Sequence, residues 1–212
     1  MSSRYNVSLN TDMVIEIWSY NSSLKGMHII ATKNIEIGGN IMSLVAGNEN
    51  FSTYNLNSSL TTTKSTFSGI FKGNLKLVDA SDLYIPTNLN VTQNCFESMF
   101  EGCTALTVAP VLTPLTLNGG CYKNMFKGCT SLVAPPSCSA TTTAIRCFES
   151  MFEGCSELTS VMPVVFGNFY NPSDSNSNPR DYGYEMTGMY KNCKKLITGY
   201  GTLDHGYTVG CY

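Results

Sequence analysis

One nine-residue phrase occurs twice without change in this chain, and it constrains the fold more than any other feature. CFESMFEGC spans Cys95–Cys103 and recurs 52 residues later at Cys147–Cys155, and the related CYKNMFKGC lies midway at Cys121–Cys129. The repeat period is therefore 26 residues. A fixed period of about 20–50 residues indicates a solenoid, in which each unit buries its apolar face only against its neighbours.

Two weaker copies extend the series to five units. They are TFSGIFKGNLKL at Thr66–Leu77 and EMTGMYKNCKKL at Glu185–Leu196. Aligned columns then carry the same kind of residue, above all a sulfur-containing or aliphatic residue followed by an aromatic one. A buried stripe is the interpretation of these columns, and nothing in them indicates a cofactor site.

The spacing inside one unit predicts a short helix. Phe96, Met99, Phe100 and Cys103 are separated by three, one and three residues, which is typical of one helix face. The following glycine column predicts the left-handed residue that ends a helix. A leucine and a short extended stretch come next, as in Leu106–Pro110. The predicted fold class is an α+β solenoid: a leucine-rich-repeat-like stack of short helix plus short parallel strand, with a small N-terminal β module.

The N-terminal 60 residues do not follow the repeat. Short apolar runs separated by Asn-Ser and Gly-Gly turns predict strands there. The runs are Val14–Trp18, His28–Ala31, Ile35–Ile37 and Ile41–Val45. We therefore predict a β module at 1–60 that caps the stack or attaches it to a partner, and a solenoid of about five units at 61–212.

An insertion separates the fourth and fifth units. The fifth unit starts 38 residues after the fourth, and the excess lies in the polar, Pro- and Asn-rich stretch Phe166–Tyr184. Loops on rigid scaffolds often bind partners, so this stretch is the candidate ligand or partner loop. Its candidate residues are Phe169, Tyr170, Arg180, Asp181, Tyr182 and Tyr184. A flexible insertion without a binding role is the competing interpretation.

One surface column alternates in charge from unit to unit. Its residues are Lys72, Glu101, Lys127, Glu153 and Lys191. We call this column the charge ladder and hypothesise that it sets the stacking register, because a slip of one unit would oppose like charges. The alternative is a solvated charged face, in which each pair contributes about 0–1 kcal/mol.

Composition excludes several classes of protein. The net charge of −2 argues against a nucleic-acid partner, which would require a basic face. No apolar run approaches the roughly 18 residues of a membrane span. The start MSSRYNVSLN lacks the apolar region of a secretory signal. The nine cysteines are odd in number, which disfavours a disulfide framework, and most are expected to be buried free thiols.

No catalytic constellation stands out. The two histidines, His28 and His205, lie in different regions, and Asp204–His205 near Cys211 is a poor Cys/His pair. The chain has no phosphate-binding, zinc-protease or nucleophile-elbow motif, and the cysteine spacing does not suit a single zinc site. We therefore expect no enzyme activity, no cofactor and no metal.

The repeat itself resembles a known family. The unit CFxxMFxGCxxLxxAPxL resembles the repeats of bacterial surface leucine-rich-repeat proteins of the BspA-like type. It more closely resembles a version common in gut Bacteroides and their crAss-like phages. That version typically carries a block like GGNIMSLVAGNENF before the first repeat, and this chain has those letters at Gly38–Phe51. The likeness covers roughly Gly38 to Leu196.

The resemblance implies a non-enzymatic surface protein. Cellular members resemble secreted adhesins with a leader, and phage members resemble virion decorations. Because no leader is seen, we expect a virion protein assembled in the host cytoplasm: a phage head-fibre or decoration, or a tail-associated adhesin. The expected partners are capsid or tail proteins, a second or third copy of the chain, and a host-surface glycan or protein. A bacterial cell-surface adhesin is the alternative.

Overall fold

The repeats fold as a stack of coils in which one side of each coil is a series of linked β-turns. The structure, a computed structural model, describes residues 28–42, 44, 65–87, 89, 91–162 and 187–196. Two strands form, β1 (Ile35–Asn40) and β2 (Leu77–Tyr84), and they pair in parallel as one two-stranded sheet. The described parts of the repeats contain no helix.

The predicted α+β solenoid of short helix plus short parallel strand is therefore wrong. In the segment expected to be helical, Asn94, Ser98 and Gly102 have φ of 56°, 57° and 74°. A right-handed helix needs negative φ at every residue, so a left-handed residue at every fourth position prevents it. The N–H of Met99 instead donates to the carbonyl of Phe96, three residues back, at 3.2 Å.

Equivalent turns recur in each repeat, and we call these stretches the turn segments. They are Ser65–Asn74, Asn94–Cys103, Gly120–Cys129, Arg146–Cys155 and, as far as it is described, Thr187–Cys193. Positive φ occurs at the same columns in all of them: Ser65, Gly69, Gly73, Gly120, Asn124, Gly128, Arg146, Ser150, Gly154, Gly188 and Asn192. Glycine and asparagine suit these columns because a type II turn needs φ above zero at its third residue.

Hydrogen bonding explains why turns replace the helix. Alternate amides of a turn segment donate to the next coil: Phe96 N–H to the Cys121 carbonyl at 3.0 Å, and Phe100 N–H to the Met125 carbonyl at 2.9 Å. The amides between them close the turns. An isolated helix leaves about four N–H and four C=O groups unpaired at its ends, which is most of such a short segment. The stacked turns pair these groups instead.

The core consists of columns of rings that run along the stack. Phe71, Phe100, Phe126, Phe152 and Tyr190 stack with neighbouring centroids 5.4–5.6 Å apart and interplanar angles of 11° or less. A second column holds Phe67, Phe96, Tyr122 and Phe148. All of these side chains are buried. The predicted apolar stripe is thus confirmed for the described repeats, although the backbone that carries it is not helical.

The opposite side of the coils contains the two strands and isolated bridges. β2 pairs with β1, and single parallel bridges join Asp79 to Val108, Leu112 to Cys138 and Thr116 to Thr142. On this side, the chain segments of successive coils therefore run parallel to one another. Among the described residues, only β1 and β2 are long enough to be strands.

The described N-terminal residues lie against the first repeat. The N–H of Ile29 donates to the Ile70 carbonyl at 2.7 Å, and that of Ile35 to the Lys76 carbonyl at 2.8 Å. Of the four predicted N-terminal strands, Ile35–Ile37 falls within β1, and His28–Ala31 is not a strand. Val14–Trp18 lies outside the described residues. Of Ile41–Val45, the structure describes Ile41, Met42 and Leu44, and none of these three lies in a strand.

Candidate functional site

The charge ladder lies along the turn segments, and its members approach one another in pairs. Lys72 Nζ is 2.8 Å from Glu101 Oε2. Glu153 lies between two lysines, with Lys127 Nζ at 2.9 Å and Lys191 Nζ at 3.8 Å. Glu101 and Lys127 do not form an ion pair with each other, although both lie in described coils. The ladder is thus a series of partly exposed ion pairs between successive coils, and its role in register stays a hypothesis.

A second charged row runs beside the ladder. Lys123 Nζ is 3.1 Å from Glu149 Oε1, and the guanidinium of Arg146 also bonds to Glu149. The hydrogen bond from Arg146 holds the pKa of the Glu149 carboxyl below its usual value, and Lys127 does the same for Glu153. A carboxyl with a lowered pKa stays ionised near neutral pH, so neither glutamate is suited to donate a proton to a substrate.

One row of cysteines is placed by the turn segments and hydrogen-bonded in a regular way. The thiol of each donates to the carbonyl of the aromatic residue in the preceding coil at 3.0–3.1 Å. The pairs are Cys103 with Phe71, Cys129 with Phe100, Cys155 with Phe126, and Cys193 with Phe152. Each thiol therefore serves as a donor between coils as well as a small apolar side chain.

Burial makes these thiols unreactive. Burial raises the pKa of the Cys103 and Cys155 thiols to about 12 and raises that of Cys129 well above its usual value. The thiolate is the nucleophile and the metal ligand, so a raised pKa removes both kinds of chemistry at neutral pH. None of the eight described cysteines forms a disulfide, and all but Cys138 are buried, which confirms the prediction for them. Cys211 lies outside the described residues.

Asn74 is a junction residue that the sequence analysis missed. It is fully buried and occupies the column where later coils carry the hydrogen-bonded cysteine. Its side-chain N–H donates to the Ile29 carbonyl at 3.0 Å, and its Oδ1 accepts from the N–H groups of Ala31 and Lys76 at 3.4 and 3.1 Å. The signal was present, because Asn replaces Cys only in the first unit, beside the N-terminal residues.

The candidate loop lies outside the described residues. Phe169, Tyr170, Arg180, Asp181, Tyr182 and Tyr184 all fall within the undescribed stretch 163–186. His205 and Asp204 lie outside the described part as well. The binding role of this loop therefore stays a prediction.

Two classes of site are not found in the described part of the chain. Among these residues, no group of three or more His, Cys, Asp and Glu side chains is arranged to hold a metal ion. The same residues include no helix that is long and apolar enough to cross a membrane.

No protein-family model, curated protein or solved structure matches this chain. Function is therefore inferred from the stacked turn segments and from the resemblance of the repeat unit.

Proposed function

We propose that this chain is a non-enzymatic structural protein of a phage particle, either a head-fibre or decoration protein or a tail-associated adhesin. The observation that carries the proposal is the continuous stack of turn segments between Ser65 and Cys193. Each coil is joined to the next by main-chain hydrogen bonds and by stacked rings. Such an element is suited to holding a surface in place rather than to chemistry.

The side-chain chemistry of the stack is suited to a protein that is exposed to an extracellular environment. Seven of its eight described cysteines are buried, and the thiols of Cys103, Cys129, Cys155 and Cys193 are hydrogen-bonded, so dissolved oxidants have little thiolate to attack. The partly exposed lysines Lys72 and Lys127 are each paired with a glutamate of the next coil. A stack whose units contact only their neighbours also resists local damage, because each interface contributes separately to stability.

The phage assignment rests on the resemblance of the repeat and of Gly38–Phe51. A bacterial cell-surface adhesin would use the same stack, so the location of the protein separates the two. Antibody against this chain, labelled with gold, should decorate the capsid or the tail of purified particles in electron micrographs. Label found only on uninfected host cells would overturn the phage assignment and indicate a bacterial adhesin.

Ligand binding is the second part of the proposal. Phe169, Tyr170, Tyr182 and Tyr184 would stack on sugar rings of a host glycan, with Arg180 and Asp181 as hydrogen-bonding groups. Alanine at Tyr170 and Tyr182 should abolish binding of the protein to host cells while leaving the thermal unfolding of the stack unchanged. Full binding by that double variant would remove the loop from the proposal.

A further inference from the structure

Charge is confined to one side of the second and third coils, which comprise residues 94–119 and 120–145. The charged side chains of these coils all lie in the turn segments and are Glu97, Glu101, Lys123 and Lys127. The stretches 102–122 and 128–145 contain no Asp, Glu, Lys, Arg or His. The side of these coils that lies opposite the turn segments, where the parallel bridges form, is therefore uncharged.

The two uncharged stretches expose a group of aliphatic side chains on neighbouring coils. They contain five of the eight large apolar residues that are exposed in the described part of the chain, namely Val108, Val111, Leu115, Val133 and Ile145. We call these five residues, each 43–57% exposed, the aliphatic face. Parallel bridges join Leu112 to Cys138 and Thr116 to Thr142, so the two coils run side by side here. Clustered apolar surface of this kind, unlike a single exposed residue, marks an interaction site.

The threonines beside the aliphatic face use their hydroxyl donors within the stack. The hydroxyl groups of Thr107, Thr141 and Thr159 each donate to a main-chain carbonyl of the preceding coil, at 2.9, 3.3 and 3.1 Å respectively. A hydroxyl group has a single O–H to donate. These three side chains can therefore accept hydrogen bonds from a partner but have no donor left for it.

These features disfavour a sugar or a charged molecule as the partner of the aliphatic face. Stacking on a sugar requires an exposed ring, but Tyr122, the single aromatic residue of 102–122 and 128–145, is fully buried. The threonine hydroxyls that could donate to a sugar are already used. A charged partner would lose hydration without gaining an opposite charge. The aliphatic face therefore fits a surface that is itself aliphatic and uncharged.

We propose that the partner is a second copy of the chain, and that two copies pack their aliphatic faces against each other about a two-fold axis. In such a pair each molecule supplies the same uncharged surface, so the centre of the interface desolvates no charge. Valine, isoleucine and threonine side chains have few rotamers, so ordering them at an interface costs little entropy. The pairing goes beyond the proposed function, because it is the same for a phage protein and for a bacterial adhesin.

The charged side of the stack is less suited to the same pairing. Its lysines and glutamates already form pairs between coils, such as Lys123 with Glu149 at 3.1 Å and Lys127 with Glu153 at 2.9 Å. A second molecule packed on these pairs would remove their water, and the cost of desolvation can exceed the attraction between the charges. Pairing through the aliphatic face leaves the charged side of both molecules in water.

Sedimentation equilibrium of the full chain tests the proposal. The wild-type protein should have twice the monomer mass of 23.1 kDa. Val111→Lys should weaken association at least about 100-fold, because the two-fold axis brings the new charge into the interface from both copies. Leu75→Lys is the matched control, since Leu75 is 58% exposed and lies outside the aliphatic face, and this variant should dimerise like wild type. The amides of Phe100 and Phe126 should stay protected from hydrogen exchange in both variants, which shows that the stack is intact.

A wild-type chain that stays monomeric up to about 100 μM would overturn the proposal, as would equal effects of Val111→Lys and Leu75→Lys. Photo-crosslinking in a mixture of isotopically light and heavy chains is the second test. With p-benzoylphenylalanine in place of Leu115, crosslinks between copies should fall on residues 104–119 or 130–145, and crosslinks that fall only elsewhere would contradict the pairing. Monomeric protein that binds phosphatidylcholine vesicles, and loses this binding in Val111→Lys, would assign the aliphatic face to a lipid surface instead.

Discussion

At the scale of single residues, Tyr122 is the poorest fit in the stack. Its ring is fully buried, and in the part of the chain that the structure describes its hydroxyl has no hydrogen-bond partner. It is tilted by 32° and 42° against Phe96 and Phe148, whereas Phe67 and Phe96 are tilted by only 10°. An unpaired buried hydroxyl costs about 1–3 kcal/mol. The hydroxyl thus destabilises a column that phenylalanine would fill better.

Replacing Tyr122 by phenylalanine should raise stability. Tyr122→Phe is expected to increase the free energy of unfolding by about 1 kcal/mol, measured by urea denaturation, because it removes the unpaired group and keeps the ring. Tyr190→Phe is the matched control. The Tyr190 hydroxyl accepts the Met162 N–H at 2.9 Å, so its loss should cost about 0.5–1.5 kcal/mol. A Tyr122→Phe protein less stable than wild type would show that the hydroxyl has a partner.

Arg146 provides a second test at this scale, because it occupies a left-handed column with φ of 63°. A side chain in this conformation costs about 1–2 kcal/mol, which glycine avoids. Arg146→Gly and Arg146→Ala both remove the ion pair with Glu149, so only the backbone separates them. The glycine variant should be more stable than the alanine variant by about 1 kcal/mol in thermal unfolding. Equal stabilities would mean that residue 146 does not adopt positive φ.

At the scale of the element, the apolar spacing predicts the buried face correctly, but the helical backbone that it also predicts is wrong. Phe96, Met99, Phe100 and Cys103 point inward in the turn segment as they would in a helix, because turns that repeat every four residues also bring spacings of three and four to one side. Periodicity alone cannot separate the two. The glycine column predicts a helix end, but in the structure it is one of three left-handed columns.

Small and turn-forming residues in the middle of each turn segment are the sequence signal that argues against a helix. The column four residues before the glycine holds Gly69, Ser98, Asn124, Ser150 and Gly188, which are small or turn-forming residues in the middle of a supposed helix. Such residues weaken a helix and favour turns. The decisive interaction is nevertheless long-range: bonds from one coil to a residue 25 positions on, such as Phe100 to Met125, do not appear in any local pattern.

The charge ladder predicts a difference between removing and reversing a charge. Lys127→Gln removes the pair with Glu153, and Lys127→Glu also places three acids in adjacent coils. Each exposed pair contributes about 0–1 kcal/mol, so the first change should lower the melting temperature little. The second should lower it further, and the gap should shrink at high salt. Equal melting temperatures for wild type and Lys127→Glu would make the ladder irrelevant to stacking.

The glutamates of these pairs also predict a dependence on pH. The pKa values of Glu149 and Glu153 are lowered in the folded chain, chiefly by hydrogen bonds from Arg146 and Lys127. Their contribution to stability is therefore complete above the usual carboxyl pKa of 4.5 and is lost as the pH falls through the lowered values. In acid unfolding, Glu153→Gln should lose less stability between neutral and acidic pH than wild type. An unchanged pH dependence would contradict the pairing.

At the scale of the whole molecule, the sequence predicted the repeat period, the buried columns and the free thiols, and each follows from residues that recur at fixed spacing. It did not predict that Ile29 and Ile35 would hydrogen-bond to the first repeat, because the N-terminal residues share no motif with it. The hydrogen bonds that join one coil to the next exist only in the stacked arrangement, so the sequence does not predict them. A phage-particle function remains a proposal based on the stack and on the resemblance of its repeat.

The central claim is that the repeats are stacked turns bonded from coil to coil. Scalar couplings across hydrogen bonds, measured by NMR on isotopically labelled protein, identify the acceptor of each amide. Stacked turns predict a coupling between the Phe100 nitrogen and the Met125 carbonyl carbon, and between the Phe126 nitrogen and the Met151 carbonyl carbon. A coupling from the Phe100 nitrogen to the Phe96 carbonyl carbon, four residues back, would mean a helix and would contradict the claim.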